Sequence, residues 1–178
     1  MPVINAMNPQ ERTRRAKIHG EAEGYLELGM ARQALETLAR LGDPAAFEVH
    51  ELYLWGEGLR ALDRCFEAMV PLERAAKAAP EDLRVRMALG WCYKRTGRLD
   101  LAIETLEQAM ANDPNEAVLR YNLACYLSLA GQKYRALRYL AEALEMEPQF
   151  RELIDDEADF DPLRSDQEFQ ALCEGVKG

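Results

Sequence analysis

The sequence predicts an all-α chain, an α-solenoid of about four helix–turn–helix units with an N-terminal helical extension and a C-terminal capping segment. Three observations predict it. Pro80, Pro114 and Pro148 stand 34 residues apart, twice over. Ahead of each proline an alanine, a leucine and a second alanine recur at fixed offsets: Ala68, Leu72 and Ala75, then Ala102, Leu106 and Ala109, then Ala136, Leu140 and Ala143. Gly29, Gly97 and Gly131 fall in the same phase, with Asp63 where the second unit would carry its glycine. Self-similarity at this period marks a repeat architecture. One helical hairpin cannot bury its apolar faces alone, whereas stacked neighbours can.

The elements follow in chain order. Residues 1–14 form an extension in which Asn8-Pro9-Gln10-Glu11 opens the first helix, with Asn at the N-cap, Pro at the first helical position and Glu three residues after the cap. Residues 15–150 divide into units 15–48, 49–82, 83–116 and 117–150. In the third, Leu83, Met87, Gly90 and Tyr93 keep helical spacing, and Gly97 ends that helix as a residue tolerant of left-handed geometry. A second helix runs from about Leu99 to Ala111, and Asn112-Asp113-Pro114 stops it, because proline lacks a backbone donor and disfavours helix before it. The first unit has a short second helix ending at Gly42-Asp43-Pro44, with Pro44 two residues early in the period. Residues 151–178 are an acidic helical cap, with a short helix after Pro148 and further starts at Asp161-Pro162 and Asp166. Phe160, Leu163, Phe169 and Leu172 cover the last repeat's apolar face, and the acidic side of this segment faces water.

Leu89-Gly90 with Tyr93, Ala102 with Leu106, and Pro114 resemble the tetratricopeptide repeat, a 34-residue helix–turn–helix unit. The resemblance covers roughly residues 15–150 and is fullest in units three and four. Unit two has Trp55-Gly56 and Leu59 but no turn glycine, and Arg86 stands where the family pattern has tryptophan. The resemblance implies that the first helix of every unit lines a concave groove where partners bind. It also argues against a carboxylate clamp of the chaperone-associated kind, since of His19, Glu23, Leu54, Arg84 and Ala88 at the matching places only Arg84 fits.

Composition narrows the function. With 48% apolar and 30% charged residues in 178, the chain has a soluble globular balance and length enough for a core. No apolar run approaches the roughly 20 residues that span a bilayer, so membrane insertion is not expected. The first residues lack a long apolar core and a small-residue cleavage site, so they do not read as a secretory signal, and the expected location is cytoplasmic. The net charge of −9 argues against nucleic acid as partner, because duplex binding rests on clustered cations. Residues 151–178 alone hold nine acidic and three basic residues, so most of that charge sits in the cap.

Candidate chemistry is sparse. Cys92 lies between Trp91 and Tyr93 with Lys94 and Arg95 behind it, and a basic neighbourhood activates a thiol. In the repeat, however, Cys92 takes a small-residue place between helices, which favours a structural thiol. Cys125 lies one place earlier in its unit and edges into the groove. The four cysteines are far apart with no CxxC, which favours free thiols in a reducing compartment. A metal site at His19, Glu23 and His50 is conceivable, since His19 and Glu23 share a helix face at i, i+4. The acidic run 155–161 lacks the glycine and glutamate of a calcium loop and reads as a solvated helix end. No phosphate loop, nucleophile elbow or dinucleotide fingerprint occurs, so neither catalytic activity nor a cofactor is expected.

The groove remains. A step of 34 sets His19, Tyr53, Met87 and Tyr121 in one row and Glu23, Glu57, Trp91 and Cys125 in the next. Glu27, Ala61, Arg95 and Leu129 form a third, flanked by Arg60 and Lys94, with Arg84 at the near edge. Aromatic and methionine centres thus lie between an acidic and a basic end, and Trp, Tyr and Arg are the residues that most often anchor interfaces. The sequence therefore predicts a non-enzymatic adaptor, monomer or homodimer, that holds a peptide or helix of a protein partner. The alternatives are a secretion chaperone resembling the small acidic tetratricopeptide chaperones, and the metal-dependent site at His19, Glu23 and His50.

Overall fold

In a computed structural model every regular element among residues 8–175, which are the residues described, is a helix; positions 1–7 of the extension and 176–178 of the cap lie outside them. The chain divides into two compact units, residues 1–80 and 81–178.

The first unit begins with α1 (Pro9–Glu27), whose N-cap Asn8 accepts a hydrogen bond from the Glu11 N–H at 2.8 Å. The second helix, α2 (Ala31–Ala39), has only nine residues. It stops early because Gly42 turns the backbone to φ +109° and Asp43-Pro44 follows, opening a 3-10 turn over Pro44–Ala46 that Asp43 caps through the Ala45 N–H at 2.9 Å. Next come α3 (Val49–Ala61) and α4 (Cys65–Ala78). Between them Asp63 adopts φ +58°, the left-handed backbone that Gly29 (+71°), Gly97 (+76°) and Gly131 (+71°) take at the equivalent turns. The apolar stripes of the four helices meet over Ile18, Ala22, Leu38, Leu52, Leu59 and Leu72, all buried. Gly56 is where α3 and α4 approach: a Cβ there would lie 2.5 Å from Leu72 Cγ.

The second unit repeats the pattern with α5 (Leu83–Arg95), α6 (Leu99–Asn112), α7 (Ala117–Leu129) and α8 (Lys133–Met146). Asp82 caps α5 by accepting from the Arg84 N–H at 3.0 Å. The starts of α3, α5 and α7, at Val49, Leu83 and Ala117, keep the 34-residue step. After α8 come a 3-10 turn (Pro148–Phe150), the four-residue α9 (Arg151–Ile154), a 3-10 turn over Ala158–Leu163 and α10 (Gln167–Glu174).

Two expectations about the cap are corrected. Asp161-Pro162 does not open a helix: Glu157 caps the turn instead, accepting from the Asp159 N–H at 3.2 Å, and Pro162 falls inside it. Asp166 does cap α10, accepting from the Glu168 and Phe169 N–H groups at 2.9 and 3.1 Å. The acidic side does not simply face water either. The Asp159 side chain is only 13% exposed and lies 2.6 Å from Lys94 Nζ, because the turn beginning at Ala158 lies against α7. Phe160, Leu163 and Phe169 are buried, and Leu172 is half-buried.

Candidate partner-binding surface

In the first unit the predicted residues lie on α1 and α3, and the hub among them is a residue the sequence reading passed over. Glu51, in the first turn of α3, is wholly buried. Its carboxylate accepts from Arg15 Nε at 2.9 Å and Nη2 at 2.5 Å, and from the Glu48 N–H at 2.9 Å, with His19 Nε2 at 2.8 Å. Burial alone would raise the Glu51 carboxyl, but the hydrogen bonds from Arg15, Glu48 and His19 outweigh it and hold the group below the usual carboxylate range. The available signal was an acid three residues after Glu48, where a capping partner sits.

His19 is thus engaged with Glu51, not with Glu23, which instead lies 3.0 Å from His50 Nε2. The two imidazoles meet edge to face at 5.1 Å. His19, Glu23 and His50 are neighbours, but their ligand atoms do not converge within 4.8 Å of one another as a shared ion requires, so the predicted metal set does not form. Further along α3, Arg60 holds Glu57 through two bonds of 2.7 and 2.9 Å. Tyr53 is half-buried and Glu27 is exposed at the end of α1. The carboxylates Glu23 and Glu57, at the acidic end of the expected groove, already face imidazole or cationic groups of their own chain.

In the second unit α5 and α7 differ. On α5, Met87 and Trp91 are half-buried one turn apart, and Arg95 is exposed with its guanidinium 5.5 Å from the Trp91 ring centroid. Such stacking holds a long side chain in place at little cost. Arg84, also exposed, returns to Asp82 at 3.0 Å. On α7, Tyr121 and Cys125 are buried rather than open, which corrects their placement on an accessible groove. Phe150 and Phe160 lie 4.9 and 5.7 Å from the Tyr121 ring, and Phe160 is fully buried. Covering a phenylalanine in this way stabilises the cap by about 1.5–3 kcal/mol.

Neither thiol has the surroundings of a nucleophile. Cys92 is wholly buried. Burial, and then the nearby Glu157 and Asp159, push the Cys125 thiol well above its ordinary range. Cys125, Glu157 and Asp159 bring three ligand atoms within 4.8 Å of one another, the one such grouping among the described residues. The ammonium of Lys94 already stands against Asp159 there at 2.6 Å, so a cation is supplied by the chain itself.

Comparisons with known proteins agree with this geometry. Residues 67–124 match the family model described as tetratricopeptide repeat. No curated protein matches the sequence. Among solved structures, YrrB, described as a TPR protein with an unusual peptide-binding site, is 22% identical, with 78% of this chain and 72% of that one covered and a TM-score of 0.68. A MamA double mutant from RS-1 is 19% identical over 95% of this chain and 96% of its own, TM-score 0.72. MamA from AMB-1 is 20% identical over 93% and 99%, TM-score 0.68. At these identities the likeness is one of fold. No described helix is long and apolar enough to cross a membrane.

Proposed function

We propose that this chain, a tetratricopeptide-repeat protein, is a non-enzymatic adaptor that binds a peptide or helix of a partner protein on the first helices of its repeats. The observation that carries the reading is α5, which presents Met87, Trp91 and a stacked Arg95 along one face. Large rigid aromatics and guanidinium groups supply most binding energy at protein interfaces. The buried Cys92 and the raised Cys125 thiol support a binding role over a nucleophilic one. YrrB's description as having a peptide-binding site supports it by analogy of fold. The acidic secretion-chaperone reading keeps the support of size and net charge, and no single residue favours it.

An affinity experiment from the native cell tests the proposal. Proteins retained by the wild-type chain should fall at least fivefold in recovery with both Trp91→Ala and Arg95→Glu. Equal recovery by all three baits would place the binding surface elsewhere.

A further inference from the structure

We infer that the α7 face of the second unit is a recognition site for short acidic segments with an aromatic anchor, and that residues 157–163 of this chain are its resident, displaceable occupant. Tyr121 and Cys125 stand on a first helix, at the places equivalent to Met87 and Trp91 on α5. On α5 those places are partly open, whereas on α7 they lie beneath the turn Ala158–Leu163. The turn approaches as a ligand does. Phe160 inserts edge-on against Tyr121 and is fully buried, while Asp159 beside it meets Lys94, which projects from the preceding repeat's first helix, at 2.6 Å.

The occupying segment is also braced from within. Arg164 donates to the carbonyls of Ile154, Asp155 and Glu157 at 3.2, 2.9 and 3.2 Å, and to Asp161 Oδ1 at 2.9 Å. Its shape therefore depends on its own residues, and its hold on the repeats runs through Phe160 against Tyr121 on α7, the buried Leu163, and the Asp159 ion pair to Lys94 on α5. The Tyr121 hydroxyl is buried beneath it without a hydrogen-bond partner among the described residues, so the fit leaves a polar atom that another segment could satisfy. The chemistry that recognises a partner here is thus an aromatic side chain next to a carboxylate. A partner carrying that pair must compete with Asp159 and Phe160.

Because it rests on the adaptor reading, the inference is tested with a peptide that needs no cellular partner. A labelled peptide of residues 154–165 is titrated into full-length wild type and into the Asp159→Ala/Phe160→Ala double variant. Binding to the variant should be at least tenfold tighter, and Lys94→Glu added to the variant should abolish it. Equal binding to both, or to neither, with the variant's helical spectrum intact, would make the segment a fixed structural cap and leave the Trp91 and Arg95 experiment untouched. Should the double variant not fold, hydrogen exchange of the wild type decides. Amides of Asp159 and Phe160 exchanging at least tenfold faster than those of α7 support displacement, and equal protection overturns it. A concentration-dependent wild-type dimer that Phe160→Ala dissolves would also overturn it, by making another copy's cap the occupant.

Discussion

Asp63 carries a backbone that L-residues avoid. Its φ of +58° matches Gly29, Gly97 and Gly131 at the same repeat place, where the Cβ of a non-glycine residue meets the following carbonyl. The sequence showed the phase with aspartate in the glycine's place; the turn keeps the left-handed backbone there, and aspartate bears the strain. Asp63→Gly should therefore raise stability by about 0.5–1 kcal/mol, the relief of left-handed strain less glycine's extra chain entropy. Gly97→Ala should lower it by about 1 kcal/mol for the reverse reason. Urea midpoints of the two variants check both signs. At this scale Cys92 was legible as a structural thiol from its small-residue place, and it is wholly buried. Cys125 was not, because a repeat offset reveals which face a residue shares but not what a distant segment lays over it.

The start of α3 shows what one buried charge does for an element. Glu51 ties α1 to α3 through Arg15 and His19 while satisfying the N–H of Glu48. Removing one partner of a buried ion pair leaves the other uncompensated, and since Arg15 is 18% exposed the loss for Glu51→Gln should be about 3 kcal/mol, the lower end for such pairs. The pH dependence has a definite sign. The folded Glu51 carboxyl lies below its unfolded value, so its contribution is complete above the ordinary carboxylate range and is lost as pH falls through the lowered folded value. Urea unfolding of wild type and variant from neutral to acid pH should show the gap between them closing; a gap constant with pH would refute this role for the charge. The starts at Asn8 and Asp166 were legible because caps are local: each accepts from its own helix's first N–H groups. The turn Ala158–Leu163 was misread because Asp161-Pro162 imitates a helix start, while the contacts that place the segment, to Tyr121 and Lys94, lie 39 and 65 residues away in sequence.

For the molecule as a whole, the 34-residue period was legible in the sequence. Prolines, glycines and small residues recur because every hairpin meets the same steric demands, and α3, α5 and α7 begin at Val49, Leu83 and Ala117 accordingly. The choice of surface was less legible. The first-helix rows suggested a groove with an acidic end, yet Glu23 and Glu57 face His50 and Arg60, and in the cap Asp159 faces Lys94. On a first helix of the second unit, the α5 face carries Met87 and Trp91 half-buried and Arg95 exposed and stacked on Trp91. The most direct test of the adaptor claim places a photo-crosslinking residue at Met87, on that face, or at Tyr134, which is 77% exposed on α8. Irradiation in the native cell should give a discrete protein adduct from position 87 and none from 134. Adducts from 134 alone would contradict the account.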